Sequence, residues 1–265
     1  MRKIEGNRGT IVIHEWAPVG EPNYVVLLAH GYAEHVGRHA ELAERLEQDG
    51  AVVYAPDHWG HGYSGGERAL VDEAEVLLAD FALVYDLARA EHPDLPVLLI
   101  GHSMGGLLAT LFLQEAERPV DAVVLSSPLL GGNPGLEALL ELDQIPDIPI
   151  DPSVISRDEL AQDAYLNDEL VYHGPFRRET LEGLVSTVRR AQQGPGFGDQ
   201  PLLWIHGEGD QLVPFDPTRA VIEDLAGPGT EMKTYPEARH ELFHETNKDE
   251  VYEDVFAFIN RTLNK

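Results

Sequence analysis

The chain has 265 residues, enough to bury a large core as one domain or as one domain with an insertion, and it contains no cysteine. Disulfides, thiol catalysis and cysteine-ligated metals are therefore excluded. Its 46 acidic against 19 basic residues give a formal charge of −27, a surface that repels nucleic acid and anionic lipid headgroups and fits salt adaptation, uncharged substrates, or simple solubility. The opening MRKIEGNRGTIVIHEW lacks the roughly 7–15-residue apolar core of a signal peptide. No run approaches the roughly 18 apolar residues of a transmembrane helix. A cytoplasmic protein is expected, unless a targeting segment has been removed.

Strand and helix patterns then alternate. Strands are expected at 10–16 (TIVIHEW), 24–29 (YVVLLA), 51–55 (AVVYA), 96–100 (PVLLI), 121–126 (DAVVLS), 201–206 (PLLWIH) and 231–235 (EMKTY). Helices are expected near 37–49, 72–91, 104–117, 216–226 and 248–262, with a glycine-rich loop at 57–66 behind the site. Most strand runs are short and apolar throughout, as expected of strands covered on both faces. The fold class is α/β, a mostly parallel doubly wound sheet. Between SSPLL and QPLLW, residues 130–199, no strand of this kind is expected, and about seventy residues is too long for an ordinary connection. Residues 1–129 and 200–265 are read as the core. Residues 130–199 are read as a helical cap inserted over the C-terminal edge of the sheet, where open α/β sheets bind ligands.

Two stretches fit the G-x-S-x-G pattern of a nucleophile elbow, GYSGG at 62–66 and GHSMG at 101–105. The pattern alone is weak, and a triad uses one serine. An elbow requires a strained turn between a buried strand and a helix, with small residues on either side so that the turn can close. Ser103 follows PVLLI and precedes GGLLATLFLQEAE, a helical pattern. Ser64 follows PDHWGHG, beyond its strand, and no helix begins after it. Ser103 is the expected nucleophile.

A serine hydroxyl needs a histidine to take its proton and a carboxylate to orient that histidine. In α/β-hydrolases, whose elbow this pattern resembles, the acid and then the histidine follow the serine along the chain. In LLWIHGEGDQLVP, Asp210 sits in the turn just past a strand. Its rivals are Glu208, close to the strand end, and Asp216, which looks like an N-cap followed by proline. In YPEARHELFHE, His240 lies in the loop after the last strand, whereas His244 reads as a surface or packing histidine. Two backbone N–H groups should hold the oxyanion, that of Met104 at the start of its helix and that of Tyr32 after the Gly31 turn. The twelve histidines show no persuasive zinc-ligand spacing, and no cofactor is expected.

Taken together, HGYAEHVGRH, PDHWGHGYSGGER, GHSMGG, SRDELAQDAYLNDELVYHG, HGEGDQLVP and ARHELFHE resemble the monoacylglycerol lipases of the α/β-hydrolase superfamily. They run in order from residue 30 to about 245. The elbow is widely shared, whereas EH-x-G-R and the SRD…Y-x-x-D…HG segment are more particular. The resemblance implies an α/β-hydrolase fold and a serine esterase that splits a monoacylglycerol, or a similar neutral single-chain ester, through an acyl-enzyme. It implies the triad Ser103, Asp210 and His240, and an apolar tunnel under the cap, with transient contact of the cap with a lipid surface. By position it implies His102, Arg38 and Tyr165 at the glycerol end, although His102 could instead be buried scaffold, Arg38 could pair with Glu34, and Tyr165 could pack the cap. The apolar start of the cap, Leu136, Leu139, Leu140, Ile145, Ile148 and Ile150, is expected at the acyl entrance or in the packing of the cap. Two departures stand out: His39 where the family often has tyrosine, and Asp168-Glu169-Leu170 where it often has D-P-L. Rivals are a less selective carboxylesterase or lysophospholipase, a cofactor-free perhydrolase, and a binding module that kept the fold.

Overall fold

The computed structural model describes residues 1–263. Runs of valine, isoleucine and leucine form strands in which every residue is buried: β3 (Tyr24–Ala29), β4 (Ala51–Asp57), β5 (Val97–His102), β6 (Ala122–Ser126) and β7 (Leu202–Gly207). With β1 (Arg2–Glu5), β2 (Thr10–Trp16) and β8 (Thr230–Tyr235) they make an eight-stranded sheet in the order β1-β2-β4-β3-β5-β6-β7-β8. β2 runs antiparallel to both its neighbours, β1 and β4, and all pairings from β4 to β8 are parallel.

Strand β1 was not expected. Its four residues, RKIE, alternate between half-buried and exposed and carry one apolar side chain, so no burial pattern announces an edge strand of this kind. The parallel strands are recognisable because both faces are covered. Val25, Leu27 and Ala29 enter one core with residues of α2 (Ala74–Glu91) and α3 (Met104–Glu115). Tyr24, Val26 and Leu28 enter the other with residues of α1 (Ala40–Gln48) and α8 (Lys248–Thr262). Each fully buried Val, Leu or Ile side chain contributes about 1.5–3 kcal/mol, so the alternation fixes strand register.

Between β6 and β7 the chain forms α4 (Pro134–Ala138), α5 (Glu159–Leu166) and α6 (Arg178–Gln193), with short 3-10 turns at Leu139–Glu141 and Pro152–Val154. The segment is not one separate unit in its packing. Leu184, Val188 and Ala191 of α6 join the same core as α2 and α3, while Ile155, Tyr165 and Val171 form a small cluster of their own. Helix α7 (Phe215–Leu225) follows β7. Its N-cap is Pro214, and Asp216 lies inside its first turn instead of capping it. Among the described residues, no helix is long and apolar enough to cross a membrane.

Candidate active site

Strand β5 runs up to His102, and α3 starts at Met104, so Ser103 alone makes the turn between them. It adopts φ 55° and ψ −118°, a conformation that costs a non-glycine residue about 1–3 kcal/mol. Neighbouring chain holds it there: its N–H donates to the Ser126 carbonyl (3.0 Å), and its own carbonyl accepts from Leu129 N–H (3.0 Å). The turn closes only over small residues. A Cβ on Gly105 would run into the carbonyl of Ala29, and one on Gly101 would lie 2.5 Å from the carbonyl oxygen of Gly105.

The hydroxyl of Ser64 is buried and fully used. It accepts from Val12 N–H (2.8 Å) and donates to the Asp57 carbonyl (2.6 Å). The loop around it does not line the cavity at Ser103. Instead His58 and His61 pack on His30, and His61 meets the Tyr32 ring, so the loop buttresses the β3 exit from behind.

Asp210 lies in the turn after β7. Its Oδ1 accepts from the N–H groups of Leu212 (2.9 Å) and Val213 (2.8 Å), which aims Oδ2 at His240 Nδ1, 2.7 Å away. A carboxylate partner assigns the proton to Nδ1 and leaves Nε2 to act as base. Burial alone would push the His240 imidazole down. The charge and hydrogen bond of Asp210, with Glu241 and Glu34 nearby, outweigh burial and raise its pKa above the ordinary value. For Asp210, burial is likewise outweighed by His240 and His206, and its carboxyl is held well below the usual range. Glu208 bonds outward to Thr234 Oγ1 (2.8 Å). His244 is half-buried. It sits in a 3-10 turn, with its ring 6.2 Å from that of His39.

Met104 is the first residue of α3, so its N–H has no acceptor within its own helix. The loop carrying Tyr32 is fixed at three points: Gly31 N–H donates to Glu34 Oε1 (2.6 Å), Tyr172 N–H donates to the Ala33 carbonyl (2.8 Å), and the Tyr32 ring stacks on Phe176 at 5.3 Å.

Ser103 and His240 face one cavity. Its apolar wall includes Leu129, Leu136, Ile150, Ile155, Phe176 and Leu184; its polar end carries Glu34, His102, Tyr165 and Glu241. His102 is kept neutral by burial and by the neighbouring His240, 4.8 Å away between ring centroids. The structure brings His102 and Tyr165 to the cavity, but not Arg38. The Arg38 side chain is buried behind the wall, 2.5 Å from Glu241 Oε2 and 3.5 Å from Glu34 Oε2. Its donors are drawn to two buried carboxylates, so the structural alternative for Arg38 holds. Ile145 and Ile148 also miss this cavity. The chain from Pro146 to Pro149 makes a tight turn, with Ile148 N–H donating to the Pro146 carbonyl (3.0 Å); Ile148 is 65% exposed and lines an adjoining open groove with Leu139 and Val154. That groove shares Leu136, Ile150, Phe176 and Leu212 with the cavity, whereas Leu140 and Ile145 line neither.

Glu34 and Glu241 are polar cavity residues not expected there from the sequence, and neither were the apolar Leu129, Ile155, Phe176 and Leu184. Glu34 was considered only as a partner of Arg38, and Glu241 directly follows the expected base, which was the available signal. The departures from the family pattern are absorbed locally: His39 Nε2 meets Glu34 Oε1 (3.0 Å), and Asp168 meets His35 Nε2 (2.8 Å).

A family model described as Hydrolase_4, serine aminopeptidase S33, matches residues 20–247. The monoacylglycerol lipase of Mycolicibacterium smegmatis is 34% identical over 258 residues, covering 94% of this chain and 92% of that protein. The monoglyceride lipase of Homo sapiens is 33% identical over 255 residues, covering 92% of this chain and 84% of that protein. The crystal structure of Paleococcus ferrophilus monoacylglycerol lipase superposes with a TM-score of 0.79 at 25% identity, covering 94% of this chain and 97% of that one.

Proposed function

The chain belongs to the monoacylglycerol lipase family of the α/β-hydrolase superfamily, and from that premise we propose that it hydrolyses monoacylglycerols to a fatty acid and glycerol. The observation that carries this reading is the Asp210–His240 pair at 2.7 Å, facing one largely apolar cavity together with a serine on a strained elbow. His240 Nε2 takes the proton of the Ser103 hydroxyl as Oγ attacks the ester carbonyl. The N–H groups of Tyr32 and Met104 hold the oxyanion. Glycerol leaves with the proton from the imidazolium, and the acyl group remains on Ser103. A water molecule, deprotonated by His240, then releases the fatty acid and restores the serine.

Residues 130–199 act as a cap over the cavity, supplying Leu136, Ile150, Ile155, Tyr165, Phe176 and Leu184 to its wall. The exposed Leu142, Ile148, Leu160 and Leu166 suit brief contact with a lipid surface. Glycerol hydroxyls would meet Glu34, His102, Tyr165 and Glu241, groups that a substrate without hydroxyls would leave unpaired. The ion pairing of Arg38 favours a second reading, a less selective carboxylesterase, because it removes one hydroxyl-binding group from the cavity. The test compares kcat/KM for a monoacylglycerol, its methyl ester and a triacylglycerol sharing one acyl chain. The monoacylglycerol should be fastest. Equal rates for the methyl ester would establish the carboxylesterase reading instead, and a faster triacylglycerol would rule out an enclosed single-chain cavity.

A further inference from the structure

We propose that Glu245 is a positioning residue for the reaction, a buried carboxylate that ties the loop carrying His240 to residues 153–158 and thereby sets where the base stands. This rests on the reading of His240 as the base. Glu245 is 1% exposed, yet the reaction scheme gives it no part. Its Oε1 accepts from the backbone N–H groups of Arg239 (2.8 Å) and Arg157 (3.1 Å), and its Oε2 accepts from Thr246 N–H (2.8 Å) and Arg157 Nε (2.9 Å). One carboxylate thus gathers the residue immediately before His240, the turn after it, and an arginine from the segment inserted between β6 and β7.

Further bonds run across the same seam on both sides of His240. Glu241 N–H donates to the Ile155 carbonyl (2.7 Å), Ser156 Oγ donates to the His244 carbonyl (2.8 Å), and the Arg239 guanidinium reaches the carbonyls of Ser156 (3.1 Å) and Ser153. Hydrogen bonds to a charged acceptor are roughly twice as strong as neutral ones, so the carboxylate is the strongest tie in this set. Without it, half-buried N–H groups on two segments, those of Arg157 and Arg239, lose their acceptor. The Ser-Arg-Asp stretch at 156–158 thereby acquires a role at the base, although none of its side chains lines the cavity. An error of about 1 Å at a reacting group costs on the order of a hundredfold in rate, so a loop held this firmly has consequences for turnover as well as for stability.

The experiment uses Glu245→Gln and Arg157→Gln in the full chain, with p-nitrophenyl butyrate as substrate, far below the melting temperature and per folded molecule. His240→Ala serves as the control. We expect kcat to fall by roughly ten- to hundredfold in both variants, with KM unchanged. The acid limb of the pH–rate profile should also move down in both, as His240 slips from Asp210 and its pKa returns toward the ordinary imidazole value. The groups facing His240 are Asp210, His102, Glu34 and Glu241, and neither variant alters them. The two substitutions change local charge in opposite senses, so a limb that moves the same way in both reports geometry. A purely structural role would lower the melting temperature and leave kcat and the limb in place, which would overturn the proposal. Should Glu245→Gln not fold, Arg157→Gln, at a partly exposed side chain, decides by the same two readings. Turnover surviving in His240→Ala would instead remove the reading of His240 on which all this depends.

Discussion

Ser103 holds φ 55° and ψ −118°, close to the mirror image of ordinary extended chain, which glycine adopts freely and serine does not. Ser103→Ala and Ser103→Gly should both lower kcat by about four to six orders of magnitude. They should differ in stability. Release of strain worth about 1–3 kcal/mol, less about 0.5–1 for the entropy of glycine, leaves the glycine variant roughly 0–2.5 kcal/mol more stable than the alanine variant. Calorimetry should show this as a Tm higher by up to about 10 °C; a glycine variant that melts below the alanine variant would mean that the turn stores no strain. His240 supplies a second prediction at this scale. The base works only when neutral and its pKa is raised, so kcat/KM should climb with pH through a value above the ordinary imidazole pKa of about 6.5. Asp210→Asn removes the charge that most strongly opposes burial, and should bring the limb down while cutting kcat by about 10⁴-fold. A limb that stays in place would show that another group orients the imidazole.

The loop from Asp57 to Gly66 and the β3 exit meet through three histidines that carry no expected catalytic role. His30 Nδ1 donates to the Gly31 carbonyl (2.8 Å) and its Nε2 accepts from His58 N–H (3.0 Å), so a second ring proton would break that contact. Burial pushes His58 down to about 3 and His61 to about 4, and holds His30 well below its ordinary value. Below about pH 6.5 the unfolded chain binds protons that the folded loop refuses, so stability falls as pH falls through this window. The raised His240 acts in the opposite sense: its contribution is complete below that pH and is lost as pH rises. Five depressed imidazoles, these three with His102 and His244, outweigh one raised group. Tm should therefore drop between pH 6.5 and 4.5, with a shallower slope in His61→Asn; an unchanged slope would clear His61 of any part. Elements differ in how far they could be read from residues alone. Strands β3 to β7 were legible because burial on both faces demands unbroken apolar runs, and the elbow because a strand, a small-residue turn and a helix must follow one another. Edge strand β1 buries too little to leave a pattern. The pairing of Arg38 with Glu34, four residues away, is legible as an alternative, but its second partner Glu241 lies 203 residues away, and no local signal reports that pairing. Ile145 and Ile148 sit among prolines that imply extended chain, but nothing there indicates which side faces the cavity.

Over the whole molecule, 46 acidic groups face 19 basic ones, and cations such as Arg118, Arg219 and Arg261 are already paired with carboxylates. Salt weakens these exposed pairs, each worth about 0–1 kcal/mol, and it also weakens the repulsion among the excess acids. With a formal charge of −27 the repulsion is the larger quantity, so Tm should rise as ionic strength goes from about 0.01 to 0.15 M and the Debye length shrinks from about 30 to 8 Å. A falling Tm would mean that the ion pairs dominate. The same field acts on approaching substrates. A monoacylglycerol carries no charge, while its phosphate monoester does, and a chain short enough to stay monomeric lets the two be compared directly. For the neutral ester, kcat/KM should be flat over this range of salt; for the anionic one it should rise, narrowing the gap between them. If the gap stays constant, the discrimination belongs to the cavity, where Glu34 and Glu241 stand beside the base and are buried beyond the reach of mobile ions.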